Sequence, residues 1–499
     1  MRKIAAMLFA AWFCLLTLSA CVKPGEFESE SGSPENEAKF PDYVFQAEQA
    51  QHSAGKSAAV GADGYYFVAD RILYFYQIDA EEAFPLCTKT SCLHKDQTCN
   101  AFANGYWITE QDQEKYPLNC FGYHMIPDEA CLYMFSRDKN YDLYLDRYGT
   151  DFTDKETLAK LTDSTAEPRK LTVGDPETLI RNGWLYYVTF LRDAGKISNR
   201  DFSTSFTLSR VRPKKNAVPE ELYTFDMQLD ILGAPGTVKL FSSGEDIFCI
   251  CGCFDLGFPG EREAQMQEKI IQYNETEGGK VLWSYSGEEV VSLFDEDEGG
   301  SYRIDQTCLN AGQLFALSRM KRGKGLEDYV PSDPYEGVPE EATAIQKTDL
   351  NTKESKIIYE TPFWWITEMK TDGKSLFITE VDEYRVYLTA LDPEGKVINR
   401  HLFALSDART AELEKIKADF EETQGHPITA WGQNIDLLMA DARHLMLRTV
   451  DTNEFSELHA DKTPSPELYD IDTAFGLINT EDFLSGKDFE IERIYAYGE

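Results

Sequence analysis

The stretch NGWLYYVTF, residues 182–190, holds the pattern from which the fold follows. An Asn-Gly turn signal precedes a short run of aromatic and branched residues, which suit a pleated strand. The same grammar recurs in both directions along the chain. Towards the N-terminus it reads DGYYFV (63–68) and DEACLYMFS (128–136). Towards the C-terminus it reads SGEDIFCI (243–250), AGQLFAL (311–317), DGKSLFI (372–378) and GQNIDLLM (432–439). Each run leads to a second β-like segment, often with a polar turn and a third. YDLYLDRYGTD (141–151), KIIQYNETEGGKVLWSY (269–285) and RVYLTALDPEGKVINRHLF (385–403) are examples.

The turn signals fall near positions 64, 128, 183, 244, 312, 373 and 432, at intervals of 55 to 68 residues. Long intervals of similar size mark repeated units. Each unit holds about four strands' worth of pattern, with loops longer than a WD-type repeat carries. The prediction is an all-β chain folded as a β-propeller over residues 43–499, seven-bladed, with six and eight as the neighbouring counts. Radial repetition buries both faces of every blade and leaves few exposed edges, which suits a chain that is 13% aromatic. Closure then calls for the two ends to share a blade, and the segment 469–497, ending FEIERIYAY, is β-like enough to supply that strand.

One segment departs from this grammar. SDARTAELEKIKADFEETQG (406–425) places Leu413, Ile416 and Phe420 at helical spacing, with Ser406 as an N-cap and Gly425 at the stop before Pro427. It predicts a helix over 406–424, inserted between the sixth and seventh units, to pack on the rim or to offer a docking face.

The N-terminus speaks to location. Arg2 and Lys3 precede a run, Ile4 to Leu18, that is apolar apart from Thr17, and small residues lead to a cysteine in LSAC (18–21). That is the layout of a secretory signal over residues 1–20. Leu-Ser-Ala-Cys resembles the lipobox of bacterial lipoproteins, in which the cysteine is lipidated; the resemblance implies lipid on Cys21 and a chain held at the outer face of the cytoplasmic membrane. Residues 22–42 are rich in Glu, Ser, Gly and Pro, a composition that buries no core, so 21–42 reads as the lipidated cysteine and a disordered acidic tether.

Charge narrows the partners. The chain carries 49 Lys+Arg against 86 Asp+Glu, a formal net charge of −37. Such a surface repels nucleic acid and anionic headgroups and favours solubility.

Eleven cysteines raise a redox question, because an exported chain can form disulfides. Setting aside Cys14 in the leader and Cys21 under lipid leaves an odd number, so at least one is unpaired, metal-bound or intermolecular. Cys249, Cys251 and Cys253 alternate in DIFCICGCF, which puts all three on one face of a strand, packing as small hydrophobes. The densest cluster is CTKTSCLHKDQTCNAF (87–102), with Cys87, Cys92, His94 and Cys99 in the spacing C-x4-C-x-H-x4-C. It follows RILYFYQIDAEEAFPL at the end of the first unit, where it forms an inter-blade connection. The stretch resembles a loop in a group of uncharacterised lipoproteins of Gram-positive bacteria. Their pattern is Leu-Cys-x-Lys-Pro-x-Cys-x-His-Asp-x-x-x-Cys-x-Ala-Tyr. Cys87, Lys89, Cys92, His94, Cys99 and Ala101 match, while Thr90, Lys95 and Phe102 replace the Pro, Asp and Tyr. The match covers about sixteen residues; it implies a propeller-like surface lipoprotein and brings no reaction or ligand.

The residues themselves leave the chemistry of the loop open. Three thiols and an imidazole suit a tetrahedral zinc site, although the spacing is that of no common finger. A Cys92–Cys99 disulfide would close a short loop for about 2.5 kcal/mol, with Cys87 reaching Cys120 or Cys131. Free thiols are the third reading. A catalytic Cys–His pair is the fourth, and it lacks an orienting third group. Elsewhere there is no HExxH, GxSxG, P-loop, GxGxxG or EF-hand pattern. DEDEGG (295–300) is a weak Ca²⁺ candidate or a solvated acidic turn. Trp364 and Trp365, in PFWWITEM (362–369), are either an aromatic platform for a sugar or peptide or inter-blade packing. Two functions remain: a tethered module that binds or scaffolds an extracellular protein, peptide or glycan, and a propeller hydrolase or lyase acting on extracellular polysaccharide.

Overall fold

Residues 177–193 fold as their pattern predicts. Glu177–Arg181 and Trp184–Asp193 pair antiparallel with Arg181 opposite Trp184, and Asn182 (φ 51°) and Gly183 (φ 70°) form a two-residue turn. Both turn residues are left-handed. This gives the turn the twist of the strands it joins, and Asn and Gly are the residues that accept such dihedrals. The computed structural model describes the chain between residues 58 and 496 apart from 103–120, 150–154, 164–169, 173–176, 194–201, 230–237, 256–264, 288–300, 322–340, 404–433, 451–472 and some shorter gaps.

Seven antiparallel sheets follow one another along the chain, each with its strands in sequence order. They are blades of a β-propeller: blade 1 at 58–85, blade 2 at 121–160, blade 3 at 170–229, blade 4 at 238–287, blade 5 at 301–360, blade 6 at 365–403 and blade 7 at 434–496. Blade 3 has a short fifth strand, Lys170–Thr172, paired with Trp184–Asp193. The turn signals mark the hairpin between the first and second strands of blades 1 to 6. In blade 7 the apolar run falls instead in the first strand, Asn434–Ala440, and the hairpin lies one strand later, where Ala440 pairs with Leu445. That turn has no glycine. The Asp441 carboxylate accepts the N–H groups of Arg443 and His444, both at 2.7 Å, and an Asp-built turn carries a fainter signal than Asn-Gly.

The core is divided into seven apolar clusters, one at each junction between neighbouring blades. Second strands are therefore buried on both faces, as in Gly64–Ala69 and Cys131–Arg137, which explains why they read as continuous apolar runs. The seventh cluster joins blade 7 to blade 1 and closes the ring: Tyr65, Phe67 and Tyr76 meet Met446, Phe475 and Ile494. The Phe67 and Phe475 rings stack at 4.6 Å, and Ala83 N–H donates to the Ile494 carbonyl at 2.9 Å.

This closure corrects the expectation of a shared blade. Residues 473–496 supply the third and fourth strands of their own blade, Thr473–Asn479 and Glu492–Ala496, and pair with blade 7 alone. The ring is sealed face to face by side chains. The segment 406–424 lies outside the described residues. A six-residue helix that the sequence reading passed over, Thr480–Ser485, sits between those last strands; Asn479 caps it by accepting Asp482 N–H, and Gly486 (φ 68°) ends it.

Candidate metal centre

Blade 1 has the shortest outer strand of the ring. Phe84–Pro85 meets the strand Ile72–Gln77 in two pairs only, Tyr74 with Pro85 and Phe75 with Phe84, and Pro85 has no N–H to carry the ladder further. The chain then leaves the sheet and returns to it. Leu86 N–H donates to the Leu73 carbonyl at 2.9 Å, and Leu73 N–H donates to the Ala101 carbonyl at 2.8 Å, so one residue closes both ends of the loop. Phe102 completes the return with a bridge to Ile72. Leu86, Cys99, Ala101 and Phe102 are buried between blades 1 and 2 against Met125, Leu132, Met134 and Tyr148, with Cys87 and Cys92 packed alongside. As the sequence predicts, the loop is an inter-blade connection. It also serves as a wedge in the junction.

Inside the loop the backbone bends twice in a way L-residues rarely do. Ser91 (φ 64°) and His94 (φ 50°) are both left-handed, and Cys92 N–H closes a turn on the Lys89 carbonyl at 3.2 Å. The bend at His94 allows two donors separated by one residue to face a common point. All four donor atoms, the sulfurs of Cys87, Cys92 and Cys99 and a ring nitrogen of His94, lie within 4.8 Å of one another. His94 Nδ1 is 3.3 Å from Cys99 Sγ. Thiolates about 2.3 Å from a zinc ion at tetrahedral corners stand about 3.8 Å apart, so the cluster has the dimensions of a four-donor site.

The electrostatics divide the thiols. Burial works against a Cys87 thiolate, yet the N–H groups of Lys89 and Asn100, with the neighbouring thiols of Cys99 and Cys92, bring its thiol below its ordinary value. Burial pushes the Cys99 thiol the other way, up to about 12, and Cys87 adds to the rise. A bound dication would draw all three to the thiolate form.

Burial and position bear on the readings of the loop that the sequence left open. Cys87 and Cys92 are free thiols, and Cys99 Sγ is held against His94 Nδ1. Cys131 is buried among side chains of blades 2 and 3, on the opposite side of blade 2 from the loop, which removes it as a mate for Cys87. Cys120 lies outside the described residues. The cysteine that His94 touches is 0% exposed, which closes it to a substrate. Cys249 and Cys251 share one face, as their alternation predicts, fully buried between blades 3 and 4 with their sulfurs 3.4 Å apart.

Of the aromatic pair, Trp365 opens the strand Trp365–Thr371 of blade 6; Trp364 and the acidic stretch 295–300 lie outside the described residues, as do Cys21 and the whole of 1–57. Two further histidines, His401 and His444, have defined places. His401 packs edge-on to Phe403 and Phe489, at 4.9 and 4.6 Å. His444 meets the Tyr65 hydroxyl at 2.8 Å across the ring closure, and burial lowers its pKa. Phe489 and Tyr65, the partners far off in the chain, lie in a neighbouring blade, so sequence spacing gave no sign of those contacts.

No family model matches this chain, and no curated protein matches it. Among solved structures, an oligogalacturonate lyase from Vibrio parahaemolyticus is similar at 11% identity, covering 74% of this chain and 81% of its own, with a TM-score of 0.38. An ulvan lyase of polysaccharide lyase family PL25 is similar at 10% identity, with 75% and 82% covered and a TM-score of 0.38. The Dos1 propeller is similar at 6% identity, with 91% and 86% covered and a TM-score of 0.38.

Proposed function

We propose that this chain is an extracytoplasmic lipoprotein, anchored to the membrane through lipid on Cys21, whose propeller binds an extracellular protein, peptide or glycan. In this reading Cys87, Cys92, His94 and Cys99 hold a structural zinc ion that fastens the edge of blade 1. The convergence of the four donor atoms within 4.8 Å carries the zinc assignment. Three sulfurs and an imidazole favour a borderline-soft dication, and four protein donors fill a tetrahedron, leaving no open position for water or substrate. A closed site of this kind supports a staple in a binding module over a catalytic metal. The anchor rests on LSAC (18–21) and the polar tether behind it.

The test has three readouts on cells making the full chain and on protein purified from them. Cys21→Ser is expected to move the protein out of the detergent phase or to stall its processing. Metal analysis of the reduced protein is expected to give about one zinc per chain. A glycan array run beside an assay for released reducing ends is expected to show retention without turnover. Unchanged detergent partitioning refutes the anchor, zinc well below one equivalent refutes the staple, and steady release of reducing ends replaces binding with polysaccharide cleavage.

A further inference from the structure

The four donors of the loop are unequal in their exposure. Cys99 is 0% exposed, its sulfur sits 3.3 Å from His94 Nδ1, and its neighbours Ala101 and Phe102 are locked into the junction of blades 1 and 2. Cys87 and Cys92 stand on the outer side, each only partly buried, and both are free thiols. The turn in which Cys92 N–H meets the Lys89 carbonyl, with Ser91 left-handed, folds the chain at Cys92 back towards Cys87. Leu93, between two donors, is 79% exposed, so solvent reaches the outer half of the cluster.

We infer that Cys87 and Cys92 are the oxidation site of the metal centre, where a peroxide joins them as a disulfide and expels the zinc. The inference rests on the zinc reading above. In the first step the Cys87 thiolate attacks one peroxide oxygen, the O–O bond breaks, and hydroxide leaves, giving a sulfenic acid. In the second, the Cys92 thiolate attacks that sulfur and displaces a second hydroxide, forming the S–S bond. Two thiolates and one hydrogen peroxide thus give one disulfide and two hydroxides, and the two electrons end on the peroxide oxygens. His94 and Cys99 are left as the only donors, too few to hold the ion. Metal and disulfide, rival readings of this loop in the sequence, become two states of one site. The loop keeps its hold on Leu73 in both, because those bonds are made by backbone groups at its base.

The experiment uses the zinc-loaded full chain, exposed to hydrogen peroxide in the presence of a metallochromic dye and then mapped by tryptic digestion without reduction. Lys89 lies between the two cysteines, so cleavage there leaves two peptides joined only by the new bond. The expected result is release of one zinc per chain, a Cys87–Cys92 linked peptide, and reloading to one zinc after a phosphine reductant and added zinc. Retention of zinc under peroxide overturns the inference, and so does release with Cys99 in the bond or with no bond; all three leave the zinc reading standing. A reduced chain that holds no zinc at the start defeats the zinc reading itself, and this inference with it.

Discussion

Glu380 and Glu268 are both sealed from water, at 0% and 1% exposure, and meet opposite surroundings. Glu380 accepts from Tyr359 and Thr361 at 2.7 Å and from Thr389 at 2.5 Å, and Arg400 Nη2 lies 3.1 Å away. Its charge is matched on every side. Glu268 lies in the strand Gln265–Asn274 of blade 4, between Gly252 and Tyr285, and neither of its oxygens has a hydrogen-bond partner among the described residues. Burial alone pushes its carboxyl up to about 8. The folded chain therefore keeps a proton that the unfolded chain gives up near 4.5. The stability tied to that proton is complete below pH 4.5 and is lost as pH rises through about 8. Glu268→Gln keeps the shape and removes the titration. It is expected to match the parent near pH 4 and to be more stable at pH 9 by an amount on the order of a few kcal/mol, read from urea unfolding at both pH values. Parallel pH dependence in the two proteins would show that Glu268 finds a partner when ionised. The contrast was hidden in the sequence, where 86 acids gave no reason to single out either one.

At the scale of the elements, the pairing of third and fourth strands slips register once in blades 2 to 7. Such a slip bends the outer strand and adds twist. Blade 1 shows no slip in its two pairs, and there the cysteine loop takes over the edge. The outer hairpin of blade 6 shows how neighbouring blades are fitted at the rim. Asp392 accepts the N–H groups of Glu394 and Lys396, Glu394 bridges Lys347 and Lys356 of blade 5 at 2.6 and 2.7 Å, and Gly395 turns at φ 85°. A Cβ on Gly395 would stand 2.0 Å from the Ile358 carbonyl oxygen. Gly395→Ala adds both a left-handed penalty and a backbone clash. It is expected to cost about 1–3 kcal/mol, measured by urea denaturation; a loss under about 0.5 kcal/mol would mean that the edge of blade 5 gives way freely. This hairpin was readable as DPEG between two β-like runs, because Asp, Pro and Gly each carry a backbone preference. The rarer bends at Ser91 and His94 were not readable, since Ser carries no left-handed preference and the enrichment of His there is too weak to mark one position. The spacing of the loop therefore named its four donors without revealing how they converge.

At the scale of the whole molecule, blade number was legible because each first hairpin is written in local turn chemistry, and even a signal displaced by one strand in blade 7 preserved the count. The mode of closure was not. An apolar strand such as Glu492–Ala496 can complete its own sheet or another, and only the packing of Phe67, Tyr74, Phe475 and Tyr495 decides between them. Hairpin contacts repeat at the seam what they do elsewhere: Arg443 of blade 7 donates to the Gly61 and Ala62 carbonyls of blade 1, as Arg181 of blade 3 donates to Gly244 and Asp246 of blade 4. Since every blade is continuous in sequence and, among the described residues, no strand is lent across the seam, the seam is one junction among seven. The position of the chain ends is then a matter of wiring. A circular permutant that joins residue 496 to residue 58 through a flexible linker and opens within 230–237 keeps every blade whole. It is expected to give the strand-rich circular dichroism of the parent and to melt within a few degrees of it. A permutant that fails to fold would show that blade 1 must be made first, and the same surgery inside a blade, which splits a sheet, is expected to be far more damaging.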